Sequence, residues 1–581
     1  MRLLIPRALG ERHPKGTTDN FSIMKRSNTN PLFLVGILVV LAPRAHSEKI
    51  WTNSVSGLWS DGGNWSGHTP PDSTSFIEIT NDISKTVTID ASATAASMTV
   101  QKLTLSAPVG ATNTLLLSDA GTNNPLILQT GLELMDGAVV RITNSALVTQ
   151  LMNDHVNIDG SLTLDSGLID FGDITVTSRV GRATSGVLTL NSGTMSVGTM
   201  TVGGLTNSSG TVYQNGGTLT VGALLSVGRN LSTTGAFLLS GGQLNVPNDD
   251  TRVGDEGVGQ MLVTNSNAYL TNLQVGRDGV GTMTIQSGGV VQVLTDVALG
   301  RFSGSTGTLA VAGGQLTAGV QKIYVARAGN GQLNVSGGTI QAASILVNAD
   351  TTNSIGATGT MSVSGGSVLL ATNLFVGSSG FSPGQALLSG GSVTVTNAAS
   401  SGLLSIANGT LTLNGGNVTA DSLVLNSGSG QLQFLSGTLT TKGTTVANGA
   451  AFVIGDGSHP AVFHLNGGTH SFGNGLVISS NATLDGCGTV IGNIVNQGTI
   501  ATNCGGTITG MTITFAGRKG QTNTIAVPSV AGLHYTLQYK NALSDTNWTD
   551  ILPSTAGSGT PLLLLDTTAA GTGRFYRVHA Q

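Results

Sequence analysis

"GTLAVAGGQLTAGVQKIYVARAGNGQLNVSGG", from Gly307 to Gly338, states one phrase twice. Gly307-Thr-Leu-Ala-Val-Ala-Gly-Gly returns as Gly331-Gln-Leu-Asn-Val-Ser-Gly-Gly. Within each copy the apolar residues stand two apart, the period of a strand that buries one face. Working outward, the last Gly of the phrase, or its replacement, recurs at Gly167, Gly193, Gly217, Gly242, Asn267, Gly289, Gly314, Gly338, Gly366, Gly391, Gly416 and Gly437. The period is therefore near 25 residues, with small slips.

Each repeat carries three apolar alternations. One precedes the Gly pair, as in Met283 and Ile285, Leu309 and Val311, Leu333 and Val335, or Met361 and Val363. The next follows it, as in Leu219 and Val221, Leu244 and Val246, Val291 and Val293, or Val393 and Val395. The third ends in a Val-Gly type step, as in Leu225 and Val227, Leu273 and Val275, Ile323 and Val325, or Leu374 and Val376. One such unit cannot bury its apolar face alone, but stacked units can. The pattern predicts an all-β chain: a right-handed parallel β-helix with three strands per coil. Propeller blades need four strands and roughly 40 residues, so they do not fit. Gly at the corners supplies positive φ or close backbone approach, and Asn215 and Asn414 are expected to tolerate the left-handed region there.

Composition agrees. Gly is 84 of 581 residues, charged residues are 9% and hydrophobic residues 39%. Helix formers are scarce. A net charge of −4 with no basic block argues against nucleic acid as a partner. Residues 1–47 read as an upstream extension and a signal peptide: Met24-Lys25-Arg26, the apolar run Leu32 to Ala42, then Ala45 and Ser47 before a cut. Glu48 is the expected mature N-terminus, and Met24 competes with Met1 as the start. No later apolar run is long enough for a transmembrane helix.

The expected organisation is a Trp-containing cap over 48–90, solenoid repeats over 91–510 and a C-terminal β module, sandwich-like, over 511–581. Aromatics reappear in that module after a long near-absence: Tyr535, Tyr539, Trp548, Phe575 and Tyr576. In the cap, Trp51, Trp59 and Trp65 suit a lid on the solenoid end, and Trp59 and Trp65 are also candidate glycan contacts through exposed indole faces. Cys487 and Cys504 are candidates for a disulfide in an exported chain; two unpaired small core residues is the alternative.

The stretch "VGRDGVGTMTIQSGG" (Val275–Gly289) resembles the repeats of autotransporter-associated and PEP-CTERM-associated bacterial surface proteins. "LDGCGTVIGNIVNQGTIATNCGGTITG" (Leu484–Gly510) is similar to the closing turns of autotransporter passenger repeats. The pattern Gly57, Trp59, Trp65, Pro70 resembles the segment that precedes such repeats. The resemblance implies a secreted or surface-displayed β-helix and supplies no catalytic residues. The closing "RFYRVHAQ" departs from those families in having neither a membrane-anchor tail nor an outer-membrane barrel.

Parallel β-helices also host polysaccharide lyases and hydrolases, which need paired acids or a basic residue beside Ca²⁺-binding acids. The densest acidic patch is Asp249, Asp250, Asp255 and Glu256, read as a solvated corner loop. Lys322 is the only Lys between Gly160 and Gly437. His459, His464 and His470 match no zinc spacing and read as scattered surface histidines. No cofactor and no metal site are expected. Arg182, Arg229, Arg277, Arg301 and Arg327 each follow a Val-Gly-like step, with Asp255 in the same place between two of them. Their spacing predicts one corner. Arg229, Arg277, Arg301 and Arg327 are candidate contacts for an extracellular anionic polysaccharide; the plainer expectation is that their apolar stems cover the corner. Together these readings predict a non-catalytic, exported, adhesin-like or structural solenoid, secreted or at the cell surface. A polysaccharide-binding or polysaccharide-degrading β-helix of the pectin-lyase type is the alternative.

Overall fold

The structure, a computed structural model, describes residues 47–580 except 151–154, 173–174, 350–355, 379–381, 503–507, 510–513, 530–531, 543, 559 and 570–573. The expected signal peptide and its upstream extension lie outside the described residues apart from Ser47, and so does Cys504. Cys487 is disulfide-bonded.

The two copies of the opening phrase lie on top of each other. Gly307 pairs with Gly331, Leu309 with Leu333 and Val311 with Val335, in parallel. The same stacking extends in both directions to give about 18 turns of a parallel β-solenoid. At ~4.8 Å per coil the stack is on the order of 85 Å long. The first ladder, formed by the strands before the Gly pair, runs rung by rung from Val87 to Leu432. The second, after the Gly pair, runs from Leu126 to Ile500. The third begins at Lys49, Ile77, Leu103 and Leu132 and passes through Leu273, Val297 and Ile323 to Val490. From Phe452 the first strand of each coil pairs in its own parallel sheet, Phe452–Leu476–Ile494.

The Leu, Val, Ile and Met pairs named from the sequence all point inward and are essentially inaccessible to water. Burying each such side chain contributes roughly 1.5–3 kcal/mol against leaving it exposed, which is what makes the stack cooperative. The corners hold the positive φ values: Gly217 at 67°, Gly242 at 75°, Gly366 at 71°. In three coils the left-handed residue precedes the position marked in the sequence. It is Asn265, Gly288 and Gly313, not Asn267, Gly289 and Gly314. Asn267 pairs with Gln243, the first strand residue of the coil before, so it belongs to the strand. Asn215 and Asn414 are not left-handed either. Asn215 instead joins an external polar ladder: it donates to Asn191 (2.9 Å), which donates to Asp165 (2.8 Å).

Among the described residues helix is confined to three short 3-10 turns, Gly62–Asn64, Ser66–His68 and Ala95–Ser97. The first two belong to the cap, and the third lies just after it. Trp51, Trp59 and Trp65 are buried and meet edge-to-face, with ring centroids 5.0 and 5.1 Å apart. The Trp59 and Trp65 indoles donate to the Ser97 and Trp59 carbonyls. Lys49 occupies an inward slot at this end. Its buried ammonium donates to the Ser66 and Thr69 carbonyls and to the Thr69 hydroxyl, closing the apolar core with a satisfied polar group.

At the other end pairing changes from parallel to antiparallel. Thr514–Lys519, Thr522–Val527 and Leu562–Asp566 form one small sheet; Thr549–Ala556, His534–Lys540 and Phe575–Ala580 form another. Ile525, Val527, Tyr535, Leu537 and Leu564 make their core, and Leu533 packs against both this core and the solenoid's.

Candidate functional site

The third strand of each coil ends in a left-handed residue: Gly181, Gly203, Gly228, Gly254, Gly276, Gly300, Ala326. The next residue turns outward. Its amide donates to the carbonyl of the left-handed residue one coil earlier: Gly204 to Gly181 (2.8 Å), Arg229 to Gly203 (3.1 Å), Asp255 to Gly228 (3.0 Å), Arg277 to Gly254 (2.9 Å), Arg301 to Gly276 (2.9 Å) and Arg327 to Gly300 (3.1 Å). Arg182, Gly204, Arg229, Asp255, Arg277, Arg301 and Arg327 are therefore successive steps of one column. The corner expected from the sequence is present, and Gly204 fills its one gap in side chains.

Two arginines missed by the Val-Gly rule join the column. Arg179 and Arg252 lie on the third strand itself, facing outward, one and two coils either side of Thr201 and Ser226. Every Arg between Arg141 and Arg518 thus belongs to this corner or to the strand face leading into it. The small side chains of Thr201 and Ser226 lie buried between the long ones.

The acidic patch is divided. Asp249 and Glu256 are exposed, as a solvated loop requires. Asp255 is not: its side chain is 5% exposed and ion-pairs with Arg277 (3.2 Å) and Arg252 (3.5 Å), while the Ser226 hydroxyl donates to it (2.9 Å). Half-buried Asp250 pairs with Arg252 (3.0 Å) and accepts from Asn272 (2.7 Å) and Gln274 (2.8 Å). The reading of the whole patch as solvated is corrected for these two residues. Arg252 lies within three residues of both, but Ser226, Asn272, Gln274 and Arg277 come from neighbouring coils, which a linear reading does not bring together.

The charges are compensated unevenly. Burial lowers the Arg252 pKa, but Asp255 and then Asp250 overcome it and hold the guanidinium above the usual arginine value. Asp250 is held below the usual carboxylate value: burial opposes this, and Asn272, Arg252 and Arg301 outweigh it. Arg301 moves the other way. Burial, helped by Arg327, Arg277 and Arg252, holds it below the usual arginine value against the opposing pull of Asp250. Arg179 is lowered too, by burial and then by Arg182 and Arg229. A centre of paired charges at Asp250, Arg252, Asp255 and Arg277 is thus flanked on both sides by guanidiniums that repel one another. Aromatic faces carry part of the load: Arg277 and Arg301 lie 5.1 and 5.2 Å from the centre of the Phe302 ring, and Arg327 lies 5.0 Å from that of Tyr324.

Trp59 and Trp65 do not join this site. Both are wholly buried in the cap, each indole covered by another, so neither offers a face to a sugar. The expectation of glycan contact is withdrawn for them. The histidines do not converge. His459 pairs with Asp456 and His464 with Asp485, each at 2.7 Å. His470, expected at the surface, is fully buried in the third ladder between Thr444 and Val490. Among the described residues no group of three or more His, Cys, Asp or Glu is placed to hold a metal ion.

No family model, no curated protein and no solved structure matches the chain.

Proposed function

We propose that this chain is an exported, non-catalytic rod, a structural or adhesin-like β-solenoid working at the cell surface or in the extracellular space. The observation that carries the reading is the unbroken first ladder, Val87 to Leu432. A solenoid enzyme departs from its repeat where loops gather around a cleft. Here the step between marked glycines never exceeds 28 residues. The acids best placed for chemistry, Asp250 and Asp255, already hold arginines, and a paired carboxylate is a poor general base or acid near neutral pH. The resemblance of the repeats to autotransporter-associated and PEP-CTERM-associated proteins supports export, as does the leader-like segment before Glu48.

Expression from Met1 in an exporting bacterial host tests the first half. The expected product is extracytoplasmic and begins at Glu48; an intact leader on a cytosolic protein overturns export. Incubation of the purified chain with pectate, pectin and heparin tests the second half. No new unsaturated or reducing ends are expected, and their steady release overturns the non-catalytic reading.

A polysaccharide-binding function is the second reading. The specific observation in its favour is the arginine corner, where cations are gathered beyond what their acid neighbours neutralise.

A further inference from the structure

We propose that the arginine corner is a binding site for an acidic polysaccharide laid along the rod axis, with its carboxylate or sulfate groups received at Arg301 and Arg229. The inference rests on the extracellular reading and names the ligand class of that second function.

The column is not explained by packing alone. A guanidinium that only covers a corner satisfies itself on neighbouring acids or carbonyls. Arg252 and Arg277 do so, on Asp250, Asp255 and Asp278. Arg301 and Arg229 do not: among the described residues neither is in an ion pair, and the charges that act on Arg301 are three arginines and one already paired carboxylate. The structure therefore concentrates positive charge at two levels of the column, and three coils, about 14 Å, separate them. Asp255 lies between, so a ligand of high, uniform charge density meets repulsion halfway, whereas a chain with spaced anionic groups does not.

Two polar atoms underneath are also left without partners. Gln274 Oε1 and Thr201 Oγ1 are buried on the outward face of the same strand ladder without a hydrogen-bond partner among the described residues. Gln274 pairs across the ladder with Arg252, and Thr201 with Arg179.

A third observation favours a sugar chain over a free anion. At the corner preceding the same strand ladder, in overlapping coils, lies a groove of about 650 Å³ that includes Pro247, Tyr269, Leu294 and Val320. Leu294 and Val320 are 71% and 84% exposed, among the most exposed large apolar side chains of the described residues. Apolar surface on one side of a short strand and unneutralised cations on the other suit a polymer with apolar ring faces and acidic substituents. Duplex nucleic acid fits poorly. Its dense phosphates need many open cations, and the aromatic rings nearest the column, Phe302 and Tyr324, already carry arginines.

The test uses the full mature chain on immobilised polygalacturonate and heparin, with dextran as the neutral matrix and duplex DNA as the competing polyanion. The wild type is expected to be retained on at least one acidic polysaccharide and not on dextran. The double variant Arg229→Ala/Arg301→Ala is expected to bind that polysaccharide at least tenfold more weakly, with an unchanged melting temperature. Arg301→Lys in the Arg229→Lys background should recover most of the retention, and Arg141→Ala, which removes a remote cation, should leave it intact. Preference for polygalacturonate or for heparin assigns the anionic group as carboxylate or sulfate. Absence of retention on both, equal retention of the double variant, equal loss in Arg141→Ala, or tighter binding to DNA would each overturn the proposal. None of these outcomes touches the leader-cleavage experiment, so failure of the site is distinguishable from failure of the extracellular reading.

Discussion

At Gly276 the backbone stands at φ 67°, and a Cβ built there would lie 2.1 Å from the Thr306 carbonyl oxygen of the next coil. Two costs combine. The left-handed region disfavours an L side chain by roughly 1–2 kcal/mol, and the contact with backbone forces the coils apart. Gly276→Ala is expected to destabilise the chain by about 2–4 kcal/mol. Gly304 separates the two costs. It has φ 85° with nothing within 4 Å of its Cβ position. Gly304→Ala should cost only the conformational term, ~1–2 kcal/mol. Denaturant titration of both variants checks this, and equal losses would show that coil spacing does not set the glycine requirement. Ala326 and Asn348 occupy the same column at φ 67° and 50°. Both stand beside the longest step of the repeat, from Gly338 to Gly366, so the need for Gly is set by the neighbouring coil as much as by φ.

At the scale of the strand ladder, the rung at His470 departs from the apolar rule with a titratable group. The third ladder passes Leu423, Thr444, His470 and Val490. His470 is fully buried. Its Nε2 donates to the Gly467 carbonyl (2.9 Å) and its Nδ1 accepts from the Thr444 hydroxyl (3.0 Å), the pattern of a neutral ring. Thr441, Phe463 and Gly488 also lie against it, and none of these neighbours carries a charge. Burial pushes its pKa below the ordinary value of 6.5, with the Gly467 bond opposing. Below pH 6.5 the unfolded chain binds a proton that the folded ring resists, so ν_U exceeds ν_N and stability falls as pH falls, until the folded pKa is passed. Melting curves at pH 7.5 and 5.5 should show a loss at the lower pH in the wild type, and His470→Val, which continues the ladder as Val490 does, should reduce that loss. An undiminished pH effect in the variant would locate the sensitivity elsewhere. This rung also shows where the sequence stops being legible. The paired Leu and Val positions were readable because a period of two and a period near 25 coincide. His470 was not, because the repeat there is irregular and nothing marks it as inward. The column of Arg229, Arg277, Arg301 and Arg327 was readable because each follows the same left-handed step. Arg179 and Arg252 were hidden three residues earlier, on the strand itself, and the burial of Asp255 depends on Arg277 and Ser226, which only stacking brings near. The indoles of Trp59 and Trp65 could be placed in a cap by their spacing, but which way their faces turn is decided by tertiary contacts alone.

For the whole molecule, the stack behaves as a one-dimensional array in which each coil contacts only its neighbours. Its unit is then one full turn between equivalent corners, and the chain should tolerate loss of that unit better than loss of half of it. Residues 277–300 form such a turn. Gly276 and Gly300 are both left-handed, and each is followed by an arginine. Excision joins Gly276 to Arg301, lets Met261 meet Leu309 where Met283 stood, and brings Arg301 onto Asp255 in place of Arg277. Inward residues stay inward. Removing residues 277–288 instead leaves the second and third strands of one turn without their first, so every later ladder must break or change partners. The full-turn deletion is expected to give a soluble protein with an unchanged β-type circular dichroism spectrum and a cooperative melt, shorter by ~4.8 Å in solution scattering. The half-turn deletion is expected to aggregate or to lose its cooperative transition. If both deletions fold equally well, adjacent turns are not sealing one another's apolar interior, and the account of stability given by the three ladders fails with them.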